Sequence, residues 1–163
     1  MDLAALLRLG HALAGAAFLA GLIGFWIVTG MASRADSLAT MRLLLKVSNP
    51  FGILITAAGI TLTILGLGTA FVIGRPIFGP LQGASVDWMF VATLLMLPIF
   101  GFLNVVYPRF SRRLRAALAG ADQAGRLTPE VAAAWADPVY GFARRYELGA
   151  VIVVFALMVA KPF

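Results

Sequence analysis

Four long apolar stretches constrain this chain more than any other feature of its sequence. They cover residues 9–33, 50–74, 88–107 and 140–160, and each can cross about 30 Å of hydrocarbon at roughly 1.5 Å per helical residue. Hydrophobic residues make up 61% of the 163-residue chain, more than a water-soluble domain of this size can bury. The alternating pattern of a barrel is missing from these stretches. The sequence therefore predicts an all-α, polytopic membrane protein, a single domain (1–163) with four transmembrane helices in a bundle.

The distribution of basic residues predicts the orientation of these helices. Ten of the thirteen basic residues lie between the first and second helices or between the bodies of the third and fourth: Arg34, Arg42, Lys46, Arg109, Arg112, Arg113, Arg115, Arg126, Arg144 and Arg145. Only Arg8, Arg75 and Lys161 fall on the other side. Because cytoplasmic loops are enriched in lysine and arginine, we expect a bacterial inner (plasma) membrane protein with both termini on the non-cytoplasmic side.

The net charge of +6 predicts a lipid partner. Anionic headgroups on the cytoplasmic side of the lipid bilayer should attract Arg109, Arg112, Arg113 and Arg115. These arginines flank membrane spans and lack interleaved aromatic residues, so nucleic acid is not an expected partner.

The two basic connections are also amphipathic. Apolar residues recur at helical spacing on one face of each: Leu38, Met41 and Leu45 in the first, and Phe110, Leu114 and Leu118 in the second. Such patterns predict short cytoplasmic helices, the first in the headgroup layer and the second on the cytoplasmic surface. We expect Asn49-Pro50 to begin the second transmembrane helix, and "TPEVAAAWADP" to form a further short surface helix.

Small residues predict which helix faces pack together. In helix two they alternate spacings of three and four, a period of 3.5 that indicates a left-handed packing seam and a central position. The residues of this seam are Asn49, Gly52, Thr56, Gly59, Thr63, Gly66 and Ala70. The corresponding inward-facing residues are expected to be Ala12, Ala16, Ala20 and Gly24 in helix one, and Gly149, Ala156 and Ala160 in helix four.

Polar side chains within the apolar stretches are costly and are candidate functional residues. Counting from Lys161 places Glu147 about 9 Å inside the cytoplasmic boundary, with Asn104 at nearly the same depth. If the small residues of helix four face inward, Glu147 faces outward, toward Arg144, lipid headgroups, another subunit or a substrate pathway. Asn49 and Asn104 are expected to be structural, the latter in an interhelical hydrogen bond.

His11 is the only histidine, a few residues into the first apolar stretch. Counting back from Arg34 places it at the outer membrane boundary, where an imidazole is tolerated. An interfacial or structural role is expected, with proton handling and haem or metal ligation as alternatives. Gly15 leaves room beside it for a flat ring or a helix, and Met96 and Met158 lie near its depth as candidate second ligands of a cofactor.

The order of these features resembles a known group of membrane proteins. The segments that carry the likeness are "LLRLGHALAGAAFLAG", "SNPFGILITAAGITLTILGLG" and "NVVYPRF". They resemble small four-helix bacterial integral membrane proteins of unknown function, loosely grouped with copper-resistance protein D and the HemJ-type protoporphyrinogen oxidase. In the HemJ-like group a first-helix histidine ligates haem, so the resemblance implies that His11 would ligate haem b.

The chain contains no cysteine and no recognisable nucleophile–base set, zinc-ligand spacing or phosphate loop, which favours a non-enzymatic function. We predict a non-catalytic membrane subunit or scaffold that packs against a larger complex, with a protein partner or a homo-oligomer. The alternatives are a haem-b redox protein that uses His11 and a small ion or solute transporter that uses Glu147 and Asn104.

Overall fold

The computed structural model describes residues 2–160. All the secondary-structure elements in this range are helical. In chain order these are α1 (Leu3–Ala32), α2 (Leu38–Val72), a 3-10 turn (Gly79–Gln82), α3 (Trp88–Gly101), a π-helical segment (Phe102–Val106), α4 (Tyr107–Ala124), α5 (Pro129–Trp135) and α6 (Pro138–Ala160). Three stretches are long and apolar enough to cross a membrane: α1, α2 and the continuous helix Trp88–Ala124. The all-α membrane prediction is therefore confirmed at this level. Lys161, used above as a boundary marker, lies outside the described residues.

Short polar side chains set the beginnings of the three long helices. The side chain of Asp2 accepts a hydrogen bond from the backbone N–H of Ala5, and Ser37 does the same for Thr40 at the start of α2. Asp87 accepts from the N–H of Phe90 at the start of α3. Each bond satisfies a backbone donor that the first helical turn would otherwise leave unpaired.

The second helix begins earlier than expected. α2 runs without a break from Leu38 through Pro50, so the prediction of a separate surface helix ending at Asn49 is wrong. Proline removes one backbone hydrogen bond, but the buried Met41 and Ser48 hold the preceding turns in place. At about 1.5 Å per residue, α2 is about 52 Å long, and its first turns extend beyond a bilayer core of about 30 Å.

The third transmembrane helix also continues past the membrane, as α4. Its apolar residues Phe110, Leu114 and Leu118 are buried, and they pack with Met41 of α2 and Val131 of α5. This face therefore contacts other helices of the protein, in place of the lipid that its amphipathic pattern favours. We call this assembly, formed by the first turns of α2 and α6 together with α4 and α5, the helical cap.

Helices α1 and α2 are antiparallel and pack through aromatic rings that lie on glycines. Phe18 of α1 covers Gly59, and a Cβ atom built on Gly59 would lie 3.3 Å from its ring. Phe51 of α2 covers Gly24 of α1 in the reciprocal way. The glycines of the predicted α2 seam, Gly52, Gly59 and Gly66, therefore face α1. Its polar members Asn49, Thr56 and Thr63 are exposed on the other side of the helix, so the seam is confirmed only in part. The predicted small-residue face of α1 is wrong except at Gly24, because Ala12, Ala16 and Ala20 are exposed.

Helix α2 is not central. Its first turns belong to the helical cap; beyond them it packs on α1, and the rest of its surface is exposed. Helix α6 instead lies between α1 and α3: Phe155 contacts Gly15 of α1, and the Tyr146 hydroxyl donates to the Leu95 carbonyl of α3 at 3.0 Å. The prediction that α2 is central is therefore wrong, and α6 has that position. A regular seam of small residues indicates one helix interface, but it does not indicate how many neighbours the helix has.

The inward face of α6 is the opposite of the predicted one. Ala150, Val151 and Val154 are buried, whereas Gly149, Val153, Ala156 and Ala160 are exposed. The bulky residues face inward because glycines on α1 make room for them, as Gly15 does for Phe155.

Candidate functional site

Glu147 is buried inside the protein, with only 5% of its surface exposed. Its carboxylate accepts a hydrogen bond from the hydroxyl of Tyr107, which lies at the start of α4. The prediction that Glu147 faces outward, toward a partner or lipid, is therefore wrong. The error follows directly from the reversed face of α6, since Glu147 shares a face with the buried Val151 and Val154.

Arg144, one turn before Glu147, is not paired with it directly. Its Nη2 atom donates to the backbone carbonyl of Trp26 at 2.9 Å, and its guanidinium lies 4.3 Å from the Trp26 ring centroid. The ring of Tyr140 lies 5.6 Å from the guanidinium carbon. The positive charge is thus held on two aromatic faces, close enough to interact electrostatically with Glu147.

Together these side chains form a polar cluster, which we define as Trp26, Tyr107, Tyr140, Arg144 and Glu147. It joins α1, the third helix and α6 at the end of the bundle next to the helical cap. Tyr140 lies 6.1 Å from Tyr107 between ring centroids. A carboxylate with a phenol donor and a nearby cation can hold or exchange a proton, and it also links three helices in an apolar environment.

The π-helical segment turns Tyr107 toward this cluster. A π-helical turn holds about one residue more than an α-helical turn, so later residues are rotated by roughly 100°. Counting in a regular helix would place Tyr107 about 80° away from the buried Ile99. With the π turn, the two residues fall on nearly the same face.

Sequence reasoning missed Tyr107, Tyr140 and Trp26 as members of the site. One signal was present: Glu147 requires a hydrogen-bond donor if it is buried, and tyrosine is a donor that apolar helices tolerate. The π turn that directs Tyr107 inward is not visible in the apolar pattern, because helical periodicity assumes a regular α-helix.

His11 fills a place in the α1–α2 seam. Its Nδ1 atom lies 3.0 Å from the Leu62 carbonyl, and its ring covers Gly66. Seven residues along, Phe18 covers Gly59 in the same way. The next step of seven brings Phe25 onto Gly52. His11, Phe18 and Phe25 therefore form one repeating contact, in which each ring lies on a glycine of α2. Unlike the two phenylalanines, His11 also donates a hydrogen bond.

The space expected for a flat cofactor beside His11 is filled by protein. A Cβ atom built on Gly15 would lie 3.4 Å from the Phe155 ring and 3.5 Å from Leu62. Met96 packs with the cluster that contains Phe18, two helical turns deeper than His11. Met158, three residues beyond Phe155, is near the level of His11. The residues around His11 do not fit a haem without displacing Phe155.

The remaining predicted residues do not join the polar cluster. Asn104 is exposed, and its amide donates at 2.7 Å to the Phe100 carbonyl of its own helix, in place of the expected interhelical bond. Asn49 is exposed on α2. The four arginines of α4 are also exposed: Arg109, Arg112, Arg113 and Arg115.

Within residues 2–160, no three histidine, aspartate or glutamate side chains come together as a metal site would require.

Comparison with curated proteins and with solved structures yields no significant match. One family model matches almost the entire chain, from residue 5 to residue 162. The apolar helices of the structure agree with the description of that family. The chain belongs to the family described as predicted integral membrane protein (DUF2269).

Proposed function

We propose that this protein is a non-catalytic subunit of a membrane complex and that it binds a transmembrane helix of a partner protein. The observation that carries this proposal is the outer face of α2. One side of this helix packs on α1, and the other is exposed and carries polar side chains at helical spacing: Asn49, Thr56 and Thr63.

A groove of about 690 Å³ runs along this outer face. It is lined by Gly52 and Ile60 of α2 and by Phe25 of α1, and Asn49 and Thr56 supply its polar atoms. Small residues allow close approach of two helix backbones, which is the main source of helix association where lipid surrounds both partners. The groove therefore has the composition of a helix-binding surface.

Asn49 favours a protein occupant over a lipid chain. The antiparallel pairing of α2 with α1 places Asn49 about 9 Å inside the membrane boundary that Arg34 marks on the first helix. The hydroxyls of Thr56 and Thr63 are already bonded to carbonyls of their own helix. The amide of Asn49 can bond to a polar group of a neighbouring helix, whereas an acyl chain offers it none.

The same proposal includes a fourth span and a fixed orientation. Helix α6 runs beside α1 from the Trp26–Arg144 contact to the Gly15–Phe155 contact, which supports a membrane crossing despite the charges in its first half. With four spans, the helical cap and its arginines lie on one side and both termini on the other. The excess of arginine favours the cytoplasmic side of a bacterial inner membrane for the cap, next to anionic lipids.

Site-specific photocrosslinking in native membranes tests the partner. A photoreactive amino acid at Thr56 should give an adduct of one defined mass, and Asn49→Leu should reduce its yield about threefold to tenfold, the range expected for one interhelical hydrogen bond. The same probe at Val153, which is exposed on α6, is the control and should give no such adduct.

Three results would contradict the subunit proposal. An adduct with the mass of two copies of this chain would indicate a homo-oligomer. Adducts with lipid alone would show that the groove faces the bilayer. Equal yields of the same adduct from Thr56 and Val153 would show that the partner does not bind preferentially to the outer face of α2.

A further inference from the structure

A second groove, of about 340 Å³, lies where α4 meets the start of α6. Its inner wall is formed by Phe110 and Tyr140, whose rings are stacked with centroids 3.5 Å apart. Its polar lining consists of three charged side chains: Arg109, Arg113 and Asp137. The groove thus has a rigid aromatic back and a charged opening.

The groove lies at the boundary of the membrane. Trp88 marks the opposite boundary of the third helix, and about twenty residues of helix span the hydrocarbon core, which places this boundary near Pro108. Arg109 follows directly. On the membrane side of the groove, Val105 and Val139 have 62% and 57% of their surface exposed. A ligand in this groove would therefore contact arginine at one end and hydrocarbon-facing valines at the other.

The carboxylate of Asp137 is already occupied. One oxygen accepts from the backbone N–H groups of Val139 and Tyr140, at 2.9 and 3.2 Å, and caps α6. The other accepts from Arg113 at 2.6 Å. The Tyr140 N–H, with the help of these other donors, holds the pKa of Asp137 below its usual value, so the carboxylate stays charged at neutral pH.

Arg109 is left without a carboxylate partner. The three salt bridges within residues 2–160 join Arg42 to Asp122, Arg75 to Asp87 and Arg113 to Asp137. Since Arg113 and Asp137 neutralise each other, the groove carries one net positive charge, and Arg113 has further N–H donors available. This arrangement is complementary to one singly charged anion.

We infer that this groove binds the phosphate of one anionic phospholipid, with Arg109 and Arg113 donating to its oxygens and an acyl chain along Val105 and Val139. Arginine donates to phosphate oxygens in a planar fork, which gives charge-assisted bonds of fixed geometry. The exposed valines favour a lipid over free phosphate, because only a lipid covers both the charged and the apolar parts of the groove. The inference requires membrane insertion but not the partner helix proposed above.

Native mass spectrometry of the full chain in detergent tests this site. Dioleoylphosphatidylglycerol is titrated against the protein, with dioleoylphosphatidylcholine as the comparison lipid. We expect one phosphatidylglycerol to bind in preference to phosphatidylcholine, and Arg109→Gln to weaken its affinity about tenfold, as the loss of one charge-assisted bond implies.

Arg112→Gln is the matched control. It removes the same charge from the same exposed helix but does not line the groove. If lipids bind only through the general surface charge, both variants weaken binding equally, and the proposed site is wrong. If the site is real, Arg112→Gln changes the affinity less than about twofold.

Asp137→Asn should change the affinity for phosphatidylglycerol in the opposite direction from Arg109→Gln. Asparagine retains the side-chain oxygen that caps α6 but removes the negative charge next to the phosphate. We expect phosphatidylglycerol to bind more tightly in this variant, and weaker binding would contradict the inference. Competition by excess inorganic phosphate as strong as that by lipid would show that the groove recognises free phosphate and overturn the lipid assignment.

Discussion

His11 and Glu147 are both ionisable side chains within apolar helices, and the structure holds them in different ways. His11 occupies a slot that phenylalanine occupies at the next two equivalent positions of α1, and one backbone carbonyl satisfies it. Glu147 depends on side chains from other helices, the hydroxyl of Tyr107 and the charge of Arg144. The first residue is replaceable by a similar shape, whereas the second requires specific partners.

This difference has a structural cause. The α1–α2 seam repeats every seven residues, so each ring meets a glycine in an equivalent environment. The polar cluster has no repeat, and its geometry depends on one π turn in the third helix. Mutations should therefore separate the two regions, with larger effects at the cluster than at the histidine.

The largest effect is expected for Glu147→Ala. This variant leaves the Tyr107 hydroxyl without an acceptor and Arg144 without its compensating charge inside the bundle, and we expect it to lower the free energy of unfolding by about 3 kcal/mol. Reversible unfolding of the purified protein in mixed micelles would measure this loss. Val153→Ala, an exposed position on the same helix, is the control and should have little effect. A loss below about 0.5 kcal/mol at Glu147 would show that the cluster is not structural.

Tyr107→Phe should have the next largest effect. It leaves the buried carboxylate without its phenol donor, at a cost of about 1–3 kcal/mol. Combined with Glu147→Ala in a double-mutant cycle, the two changes should be strongly non-additive, since both remove the same bond. Additive losses would mean that the Tyr107–Glu147 hydrogen bond contributes nothing of its own.

His11→Ala should have an intermediate effect, smaller than that of Glu147→Ala. It removes the ring from Gly66 and the hydrogen bond to Leu62, and the site is only half-buried, so a loss of about 1–2 kcal/mol is expected in the same unfolding measurement. A loss equal to that of Glu147→Ala would remove the distinction between the two regions.

His11→Phe should have the smallest effect, below about 1 kcal/mol, because only the hydrogen bond is lost. Phe18 and Phe25 already show that a phenyl ring fits on the glycines of this seam. If this variant is as unstable as His11→Ala, then the bond to the Leu62 carbonyl matters more than the ring, and His11 is a specific polar residue after all.

The class of the protein and the approximate positions of its helices could be read from the sequence, with several boundaries displaced. Helix α2 begins at Leu38 and not at Pro50, because Met41 is buried in the helical cap and keeps the earlier turns helical. The contact role of the glycines of α2 was also predictable, whereas Asn49, Thr56 and Thr63, which share the same 3.5-residue period, are exposed.

The candidate site could be predicted only in part. Glu147 was identified as costly from its depth alone, which is a property of position along one helix. Its direction was predicted wrongly because the small residues Gly149 and Ala156 were taken as the contact face, although they are exposed. Tyr107, its hydrogen-bond partner, lies 40 residues away and was not identified.

What the sequence determined by itself was membrane insertion, the helical class and the contact role of the glycines of α2. These depend on the length of apolar runs and on local periodicity, which are properties of single segments. Only the tertiary structure decided which face of α6 is buried and which side chains surround Glu147. Those choices depend on the space that other helices leave, such as the room that Gly15 makes for Phe155, and no single helix contains that information.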